Sequence, residues 1–514
     1  MTESSNSRLM DRRGNRVWSI CFWVGQAFRL GILNLCDKMG FSPWGMLSFW
    51  LRREHTSGPK GPFLTCSKIA KPKGLAYLEA NTPQEQLLLM DRRSFLKSMA
   101  AMSGAALLPG GLRKPPNAWM PTREDEAFLD DLERQACLFF WEQASPATGQ
   151  VLDRARNDST GARDPRRMAS IAATGFGLTA LCIADHRGYL PHAQVAERVR
   201  NTLDWHLNKL PEVHGFFFHF NDVETGERIN KNELSSIDTS ILLCGVLMAR
   251  AYFEEKQIQS LAQQLYERVD WPWMLNGGKT FSMGWTPEHG FLKARWEKYC
   301  ELMMIYLLAI GSPTHPVAPE FWSNFARPRI HFLGFDYISG GDPLFTHQFS
   351  HAWFDFRNRR DAYADYFENS IIATRAHKAF CLTFPEWYNE DYWGVTASDY
   401  QHGYTAWGGP PAKGPLDGSV VPAATAGSLA FVPVDCLHVQ RAMRANYGKR
   451  AWGRYGFVDA FHPAANWYDP DVLGIDLGIS VLMAENLRSG LVWETFMRNP
   501  ECANAMKRVG FRKE

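Results

Sequence analysis

The sequence predicts an all-α fold and, within that class, a closed double ring of helices, an (α/α)6 toroid. Three observations support this prediction. Apolar helical segments recur along about four hundred residues and are separated by long loops rich in aromatic and polar residues. Strand signals are scarce, and only Gly215–Phe220 and Lys279–Trp285 have the character of short hairpin arms. A helical solenoid should show a repeat unit, and none is visible, so a closed ring around a central pit fits better.

Nine segments carry the spacing of apolar residues that a helix with one or more buried faces requires. Several of them end at a residue that stops helices, such as Gly188 after the second segment and Pro211 after the third. We predict helices at Arg123–Ala144, Ile171–His186, Gln194–Leu210, Asp238–Phe253, Ile258–Val269, Trp296–Ile310, Arg360–Phe380, Ala424–Tyr447 and Asp476–Met497.

The first 121 residues are predicted to lie outside this helical domain. Arg92 and Arg93, followed by Ser-Phe-Leu-Lys and the small apolar run Met99–Leu108, resemble a twin-arginine export signal. That run is too short to cross a bilayer as a helix. We therefore expect the twin-arginine export machinery as a partner, a periplasmic or secreted location, and no stable membrane span in the mature domain.

The same signal divides the chain into three predicted parts. Because a signal normally begins a protein, Met90 is interpreted as the true start, and residues 1–89 as an upstream extension from a mis-called start. A membrane-associated extension is the alternative, since Val17–Leu35 is apolar enough to lie in a membrane interface. Residues 90–121 then form the signal and a flexible linker, and residues 122–514 form the helical domain.

Composition excludes several classes of function. The 56 basic and 54 acidic residues give a net charge of +2, so no nucleic-acid partner is indicated. The seven cysteines after the signal are odd in number and widely spaced, which predicts neither a disulfide framework nor a zinc site. A phosphate-binding loop and a dinucleotide fingerprint are also missing from the sequence. We predict neither an organic cofactor nor a metal ion.

Three acids lie at or just before the N-terminal ends of apolar helices and are the candidate catalytic residues. Glu233 and Asp238 precede or open the segment that ends near Phe253, and Glu301 enters the next apolar segment. Burying an ionised carboxylate without a partner costs several kcal/mol of folding free energy, so the presence of these acids needs a structural or functional explanation. Glu233 and Asp238 could cap the helix, where free N–H groups and the helix dipole favour an acid. A capping role does not exclude a catalytic one.

Eight blocks of sequence follow one another along the chain: Ile237–Ser240, Ala309–Pro316, Thr346–Tyr363, Tyr366–Ser370, Trp393–Asp399, Asp417–Pro433, Trp452–Phe461 and Trp467–Pro500. Together they resemble the bacterial "putative glucoamylase" domain, which is similar to glycoside hydrolase family 144, the endo-β-1,2-glucanases. The resemblance spans about Arg123 to Phe511. It implies the (α/α)6 fold, an oligosaccharide or polysaccharide substrate and an inverting mechanism. A similar domain also accompanies cyclic β-1,2-glucan synthases, so the fold does not fix the substrate.

Glycoside hydrolysis needs one carboxylic acid that protonates the leaving oxygen and one carboxylate that activates water. In inverting enzymes these groups stand about 6.5–9.5 Å apart to admit the water molecule. Glu301 is the first choice because only apolar residues follow it up to Gly311, and Glu233 and Asp238 come next. The sequence leaves open which of them is the acid and which the base.

Polar and aromatic residues in the loops are candidates for binding a sugar. The chain has 19 Trp, 16 Tyr and 33 Phe, and ring faces beside hydrogen-bonding groups suit a sugar. Each candidate has an ordinary structural alternative: pairing within their own loop for the two arginines, a loop-holding role for the aspartate, a hydrogen-bonded structural role for the histidine, and core packing for the aromatic residues. The candidates are Asp399, Arg154, Arg156, His219, Trp285, Trp296, Trp393, Tyr404 and Trp407.

Two functions compete with an exported glycoside hydrolase of β-1,2-glucan or a related β-glucan. Helical toroids also host polysaccharide lyases, which use a Tyr or His base, but the sequence offers paired acids more clearly than basic groups. A catalytically silent glycan-binding protein is the third hypothesis. It predicts saturable binding without new reducing ends.

Overall fold

The computed structural model describes residues 121–158, 160–411 and 414–513. The predicted extension at residues 1–89 and the predicted signal and linker at residues 90–121, apart from Pro121, lie outside the described residues. In the described part of the chain, no helix combines the length and the apolar character that crossing a membrane requires.

Most of the described chain is built from α-helices joined by long loops. The helices are α1 Arg123–Glu142, α2 Ile171–His186, α3 His192–Asn208, α4 Ser236–Tyr252, α5 Lys256–Glu267, α6 Trp271–Leu275, α7 Met303–Gly311, α8 Phe349–Trp353, α9 Tyr366–Leu382, α10 Pro422–Ala426, α11 Pro433–Ala451, α12 Gly474–Arg488, α13 Leu491–Phe496 and α14 Pro500–Arg508. Two 3₁₀ helices span Pro319–Ser323 and Leu344–His347.

Six of these helices, α2, α4, α7, α8, α10 and α12, form a closed inner ring. Helix α2 packs against α4 and α12, α4 packs against α7, and α10 packs against α12. The backbone N–H of Met304 in α7 donates to Ser350 Oγ of α8 at 3.1 Å. The side-chain amide of Gln348, just before α8, donates to the carbonyl of Ala424 in α10 at 2.8 Å and closes the ring.

The remaining long helices form an outer layer. Helix α1 packs on α2 and α12, α3 on α2 and α5, α5 on α4, α11 on α10, and α14 on α7, while α9 packs on the 3₁₀ helix that precedes α8. The inner helices are apolar on nearly every side, as a helix with neighbours all around must be. Helix α2 is buried from Ile171 to Ala184, and α7 from Met303 to Ile310. The predicted (α/α)6 arrangement is confirmed.

Short antiparallel strands fold the loops back over the ring. Most pair as two-stranded ribbons, and β6, β7 and β8 form one three-stranded sheet. The strands are β1 Arg154–Arg156, β2 Met168–Ser170, β3 Glu212–Val213, β4 Phe216–Phe217, β5 Phe220–Asp222, β6 Leu234–Ser235, β7 Gly284–Thr286, β8 Gly290–Phe291, β9 Arg329–Phe332, β10 Phe335–Ile338, β11 Arg359–Arg360, β12 Ser398–Tyr400, β13 Gly403–Thr405, β14 Trp452–Gly453, β15 Gly456–Phe457, β16 Phe461–His462, β17 Trp467–Tyr468, β18 Asp471–Leu473 and β19 Arg512–Lys513.

The predicted helix Trp296–Ile310 is wrong in its first half, because α7 begins only at Met303. The backbone of the preceding residues bonds across to other loops instead. The N–H of Trp296 donates to the carbonyl of Phe281 at 2.9 Å, and the N–H of Tyr299 donates to that of Ala326 at 2.8 Å. Glu301 therefore lies in a turn ahead of the helix.

Two other predicted helices are each split into two. The segment Ala424–Tyr447 overlaps both α10 and α11, and the second helix begins at Pro433, which is well suited to a first helical turn. The segment Asp476–Met497 contains α12 and α13, separated at Gly490, whose φ of 74° ends the regular helix. The short helices α6, α8 and α14 were not predicted, since a single turn or two gives little periodic signal.

Candidate active site

The N-terminal ends of several inner helices meet at one end of the ring. The backbone N–H of Ile171, which opens α2, donates to the carbonyl of His219 at 3.3 Å. The N–H of Gly474, which opens α12, donates to the carbonyl of Asp153 at 2.8 Å. Helix α4 begins at Ser236, immediately after strand β6. Loop residues ahead of these helices are thereby held beside one another.

His219 joins two of the predicted catalytic acids. Its Nδ1 lies 3.2 Å from Glu233 Oε1, and its Nε2 lies 3.5 Å from Asp238 Oδ1. The ring of His219 stacks on Phe220 with 3.8 Å between ring centroids, which fixes its plane. The three side chains form one group, joined by a hydrogen bond to Glu233 and an ion pair with Asp238, and each side chain is about one quarter exposed or less.

The helix cap at this point is Ser235 and neither of the two acids. Ser235 Oγ accepts the backbone N–H of Asp238 at 3.2 Å, and its hydroxyl donates to Asp238 Oδ2. The second oxygen of Asp238 is left for His219. Glu233 lies ahead of the cap in the chain. Capping alone therefore does not explain either carboxylate.

The charges of this group depend on one another. Burial alone would lower the pKa of His219, but the carboxylates of Asp238 and Glu233 outweigh burial and raise that pKa to about 9. Burial opposes ionisation of Glu233, but the hydrogen bond and charge of His219 prevail and lower its pKa. Burial dominates at Asp238 and raises its pKa. At neutral pH the group holds an imidazolium and an ionised Glu233.

Glu301 is a deeply buried acid with an electrostatic contact to the same group. Only 8% of the residue is exposed, and burial, with a further contribution from the charge of Asp238, raises the pKa of its carboxyl to about 7. Its backbone carbonyl accepts a hydrogen bond from Ser350 Oγ at 2.6 Å, which ties the turn to α8. Glu301 thus keeps its proton up to about neutral pH, as a general acid must.

Arg154 and Asp399 form a second charged group nearby. Arg154 bonds to Asp399 Oδ2, and its Nε donates to Asp153 Oδ2 at 3.0 Å. Asp153 also contributes to the raised pKa of His219, so the two groups are electrostatically connected. Behind Asp399, its backbone N–H donates to Asp459 Oδ2 at 2.8 Å.

The two arginine candidates have different partners in the structure. Arg156 pairs with Asp158 of its own loop, with Nη2 2.8 Å from Asp158 Oδ2 and both side chains more than half exposed. This is the structural alternative weighed for that residue. Arg154, by contrast, reaches across to Asp399 in β12. Of the two, only Arg154 belongs to the charged groups at the helix ends.

The aromatic candidates differ in their exposure. Trp393 is fully buried, Trp407 is 2% exposed and donates to Ser398 Oγ, and Trp296 is 8% exposed and donates to Ser236 Oγ. These three rings are enclosed by protein, as the core-packing alternative requires. Trp285 and Tyr404 are partly exposed. Tyr404 pairs with Asp399 across the β12–β13 hairpin, and Trp285 pairs with Leu234, next to Glu233.

Several acids that the structure places here were not predicted from the sequence. They share burial and lie around Asp399: Asp153, Asp459, Asp469, Asp471 and Asp476. One of these acids, Asp476, could have been found from the sequence. Asp476 is the third residue of an apolar helix, after Gly-Ile, just as Asp238 is the third residue of α4, after Ser-Ile. The others lie in loops and strands without any periodic pattern.

The helical toroid and its acids together are typical of a glycoside hydrolase, because carboxyl groups lie close together where the inner helices begin. Comparison with known proteins agrees with this. Residues 293–500 match the family model described as "Putative glucoamylase". The resemblance predicted from the sequence blocks is confirmed.

Three similar proteins carry related descriptions. An exo β-1,2-glucooligosaccharide sophorohydrolase (non-reducing end) of Parabacteroides distasonis is 27% identical over 427 residues, which are 75% of this chain. The chain spans 58% of that relative's length. An endo-β-1,2-glucanase of Chitinophaga pinensis, solved with sophorotriose and glucose, has a TM-score of 0.70 and 28% identity, with coverage of 76% of this chain and 99% of its own.

A structure described as a putative glucoamylase from Bacteroides uniformis gives the same picture. Its TM-score is 0.70 at 28% identity, and it covers 77% of this chain and 99% of its own. The similarity therefore extends over nearly the whole of each of these two solved chains and over about three quarters of this chain.

Proposed function

We propose that this chain is a glycoside hydrolase that cleaves β-1,2-linked glucan, with Glu301 as the proton donor. The observation that carries the proposal is that two acids in opposite charge states both interact with the His219–Asp238 pair: Glu233 through His219 and Glu301 through the charge of Asp238. Glu301 is buried and keeps its proton to about pH 7, whereas Glu233 is held ionised by His219. Two carboxyl groups whose pKa values are pushed apart are the usual mark of an acid and a base. The activities of the two β-1,2-glucan hydrolases described above support the substrate class.

The reaction is an acid-assisted displacement by water. Glu301 gives its proton to the glycosidic oxygen as the bond from that oxygen to the anomeric carbon breaks. A water molecule forms the new bond to the anomeric carbon from the opposite face and passes one proton to Glu233. The products are two shorter sugars, one with a new reducing end, and each carboxyl group returns to its starting state by proton exchange with water.

His219 is proposed as a positioning residue, since it lies between Glu233 and Asp238 and forms ion pairs with both. Its positive charge keeps Glu233 ionised in a setting where burial would favour the protonated form. Arg154, Asp399, Tyr404 and Trp285 are proposed to contact the sugar, because they are polar or aromatic groups with some exposure beside the acids. Trp296, Trp393 and Trp407 are assigned to the protein core instead.

The experiment is a panel of defined glucans with β-1,2, β-1,3, β-1,4 and α-1,4 linkages. We expect new reducing ends from β-1,2-glucan and none above background from the α-1,4 polymer. Sophorose as the sole early product would indicate attack from a chain end, and a ladder of oligomers would indicate internal cleavage. Ultraviolet absorbance from an unsaturated product would indicate a lyase, and saturable binding without new reducing ends would indicate a silent binding protein. Either of those outcomes contradicts the proposal.

A further inference from the structure

Three acids, among them the proposed sugar contact Asp399, bring their carboxyl groups close together. Asp399 lies in β12, Asp469 lies in the turn between β17 and β18, and Asp471 opens β18. Each offers a carboxylate oxygen, and these three oxygens all lie within 4.8 Å of one another. Like charges at this spacing repel strongly unless a counter-charge lies between them.

The nearby guanidinium groups are already engaged with other carboxylates of the group. Arg154 bonds both Asp153 and Asp399. Arg166 bonds Asp164 and, through two nitrogens, Asp471, with Nη2 3.0 Å from Asp471 Oδ1. Two positive groups thus face four acids before Asp469 is counted.

Asp469 supplies the independent observation. It is 5% exposed, and its Oδ1 accepts the backbone N–H of Asp471 at 3.0 Å. Its Oδ2 is buried and accepts no hydrogen bond in the described part of the chain. An ionised carboxylate oxygen that is buried without a donor is costly, so this oxygen needs either a proton or a bound cation.

We propose that Asp399, Asp469 and Asp471 together bind a calcium ion. Calcium takes oxygen ligands at about 2.3–2.6 Å, so two oxygens on one ion lie at most about 5 Å apart, which the observed spacing satisfies. Magnesium binds at about 2.0–2.1 Å in a strict octahedron and fits an irregular set of carboxylates less well. The expectation of no metal was based on missing zinc ligands, and an oxygen-only site has no such sequence spacing.

The ion would connect two loops at this end of the helical ring. Asp399 belongs to the β12–β13 hairpin, which also carries Tyr404. Asp471 begins the strand that leads directly into the inner helix α12. Calcium binding would hold the hairpin against the start of α12. This inference does not rest on the proposed reaction, since binding is measured without any sugar.

The test is titration of chelator-treated protein with calcium chloride, followed by calorimetry and by thermal unfolding. We expect one calcium ion per chain and a rise in Tm of about 2 °C or more at saturation, because a ligand of the folded state stabilises it. Magnesium chloride at the same concentration should give a clearly smaller shift. Failure of the wild-type protein to take up calcium at millimolar concentration overturns the proposal.

Two variants locate the ion. Asp469→Asn and Asp471→Asn should each weaken calcium binding at least about tenfold, since each removes one charged ligand. Asp336→Asn is the matched control, because Asp336 is 59% exposed and pairs with His331 away from this group. Calcium binding that is unchanged in both cluster variants would place the ion elsewhere and contradict the assignment. If Asp469→Asn does not fold, Asp471→Asn and the wild-type titration still decide.

Discussion

Burial of the Glu301 carboxyl group affects both the proposed catalysis and the stability of the protein. Removing the carboxyl from water raises its pKa to about 7, which lets it hold a proton where the proposed reaction needs one. The same burial penalises the ionised form and so costs stability whenever the surrounding pH favours ionisation. A catalytic acid of this kind is expected to be a weak point of the fold.

The first prediction concerns the stability of Glu301→Gln. Because the folded pKa lies above the usual value of 4.5, the folded state holds the proton more tightly, and the wild type loses stability as pH rises from about 4.5 to 7. The variant has no such loss. We expect it to be more stable than the wild type at pH 8, by up to ~3 kcal/mol, with little difference below pH 4.5.

Urea unfolding of both proteins at pH 4.5 and pH 8 measures this difference. Comparing the two proteins at each pH removes the contribution of all other titrating groups. A variant that is less stable than the wild type at pH 8 would show that the Glu301 carboxylate is a structural partner and not a strained acid.

The second prediction concerns His219→Gln, which removes the imidazolium between Glu233 and Asp238. Without this charge the pKa of Glu233 should rise, so the acidic limb of the kcat/KM profile should move to higher pH. The variant should also lose about 1.5–3 kcal/mol of stability, the usual worth of hydrogen bonds to charged groups. Since the His219 pKa of about 9 lies above its usual value of 6.5, this stabilisation is full below pH 6.5 and is lost as pH rises from there through about 9.

A pH profile of activity and a series of unfolding curves check both parts. If the acidic limb does not move while stability falls, His219 supports the loop and does not set the charge of Glu233.

At the scale of elements, the inner ring depends on a close approach between α2 and α4. A Cβ on Gly245 would lie 2.1 Å from the carbonyl oxygen of Gly175, and a Cβ on Gly175 would lie 2.4 Å from the carbonyl oxygen of Ile241. Backbone atoms cannot give way as a side chain can. Glycine is therefore required at this crossing for space, although it is a poor helix former.

The third prediction is that Gly245→Ala destabilises the protein by about 1–3 kcal/mol, the usual cost of overpacking. Gly448→Ala in the outer helix α11 is the matched control, because its nearest neighbour is Arg444 Cγ at 3.5 Å, an ordinary contact. That change should stabilise by about 0.5–1 kcal/mol through helix propensity. Thermal unfolding of both variants distinguishes the effects, and an equal response from the two would contradict the close crossing.

Long apolar helices could be predicted from the sequence, and their interruptions could not. The bounds Ile171–His186 are reproduced by α2 because the whole segment is apolar and ends before a glycine. Trp296–Cys300 is as apolar as a helix requires, but its backbone hydrogen bonds go to Phe281 and Ala326. Such long-range pairing leaves no trace in local periodicity, so tertiary contacts override the pattern there.

At the scale of the whole molecule, site residues that lie close together in the sequence could be predicted as a group, and residues that lie far apart could not. Glu233 and Asp238 lie within one short stretch and could be associated from their positions alone. The acids around Asp399 come together through the antiparallel pairing of β1 with β18, which sets Arg156 opposite Asp471, more than three hundred residues away. The acids around Asp399 come together only when the ring of helices closes, so no local sequence motif predicts this group.

The fourth prediction concerns export, which stays a proposal based on Arg92 and Arg93. Replacing both with Lys should leave the protein in the cytoplasm, because twin-arginine signals are recognised by a receptor rather than by hydrophobicity alone. Fractionation of cells followed by immunodetection measures the distribution. Unchanged levels outside the cytoplasm would show that the pair is not recognised.

The central claim is that Glu301 donates the proton in the cleavage of β-1,2-glucan. It is tested most directly by comparing Glu301→Gln with the wild type on two substrates, β-1,2-glucan and a 2,4-dinitrophenyl β-sophoroside, whose leaving group departs without protonation. We predict that kcat/KM of the variant falls by about 10²–10⁴ on the glucan, with a loss below about tenfold on the aryl glycoside. Equal losses on the two substrates, or a glucan activity within about threefold of the wild type, would contradict the account.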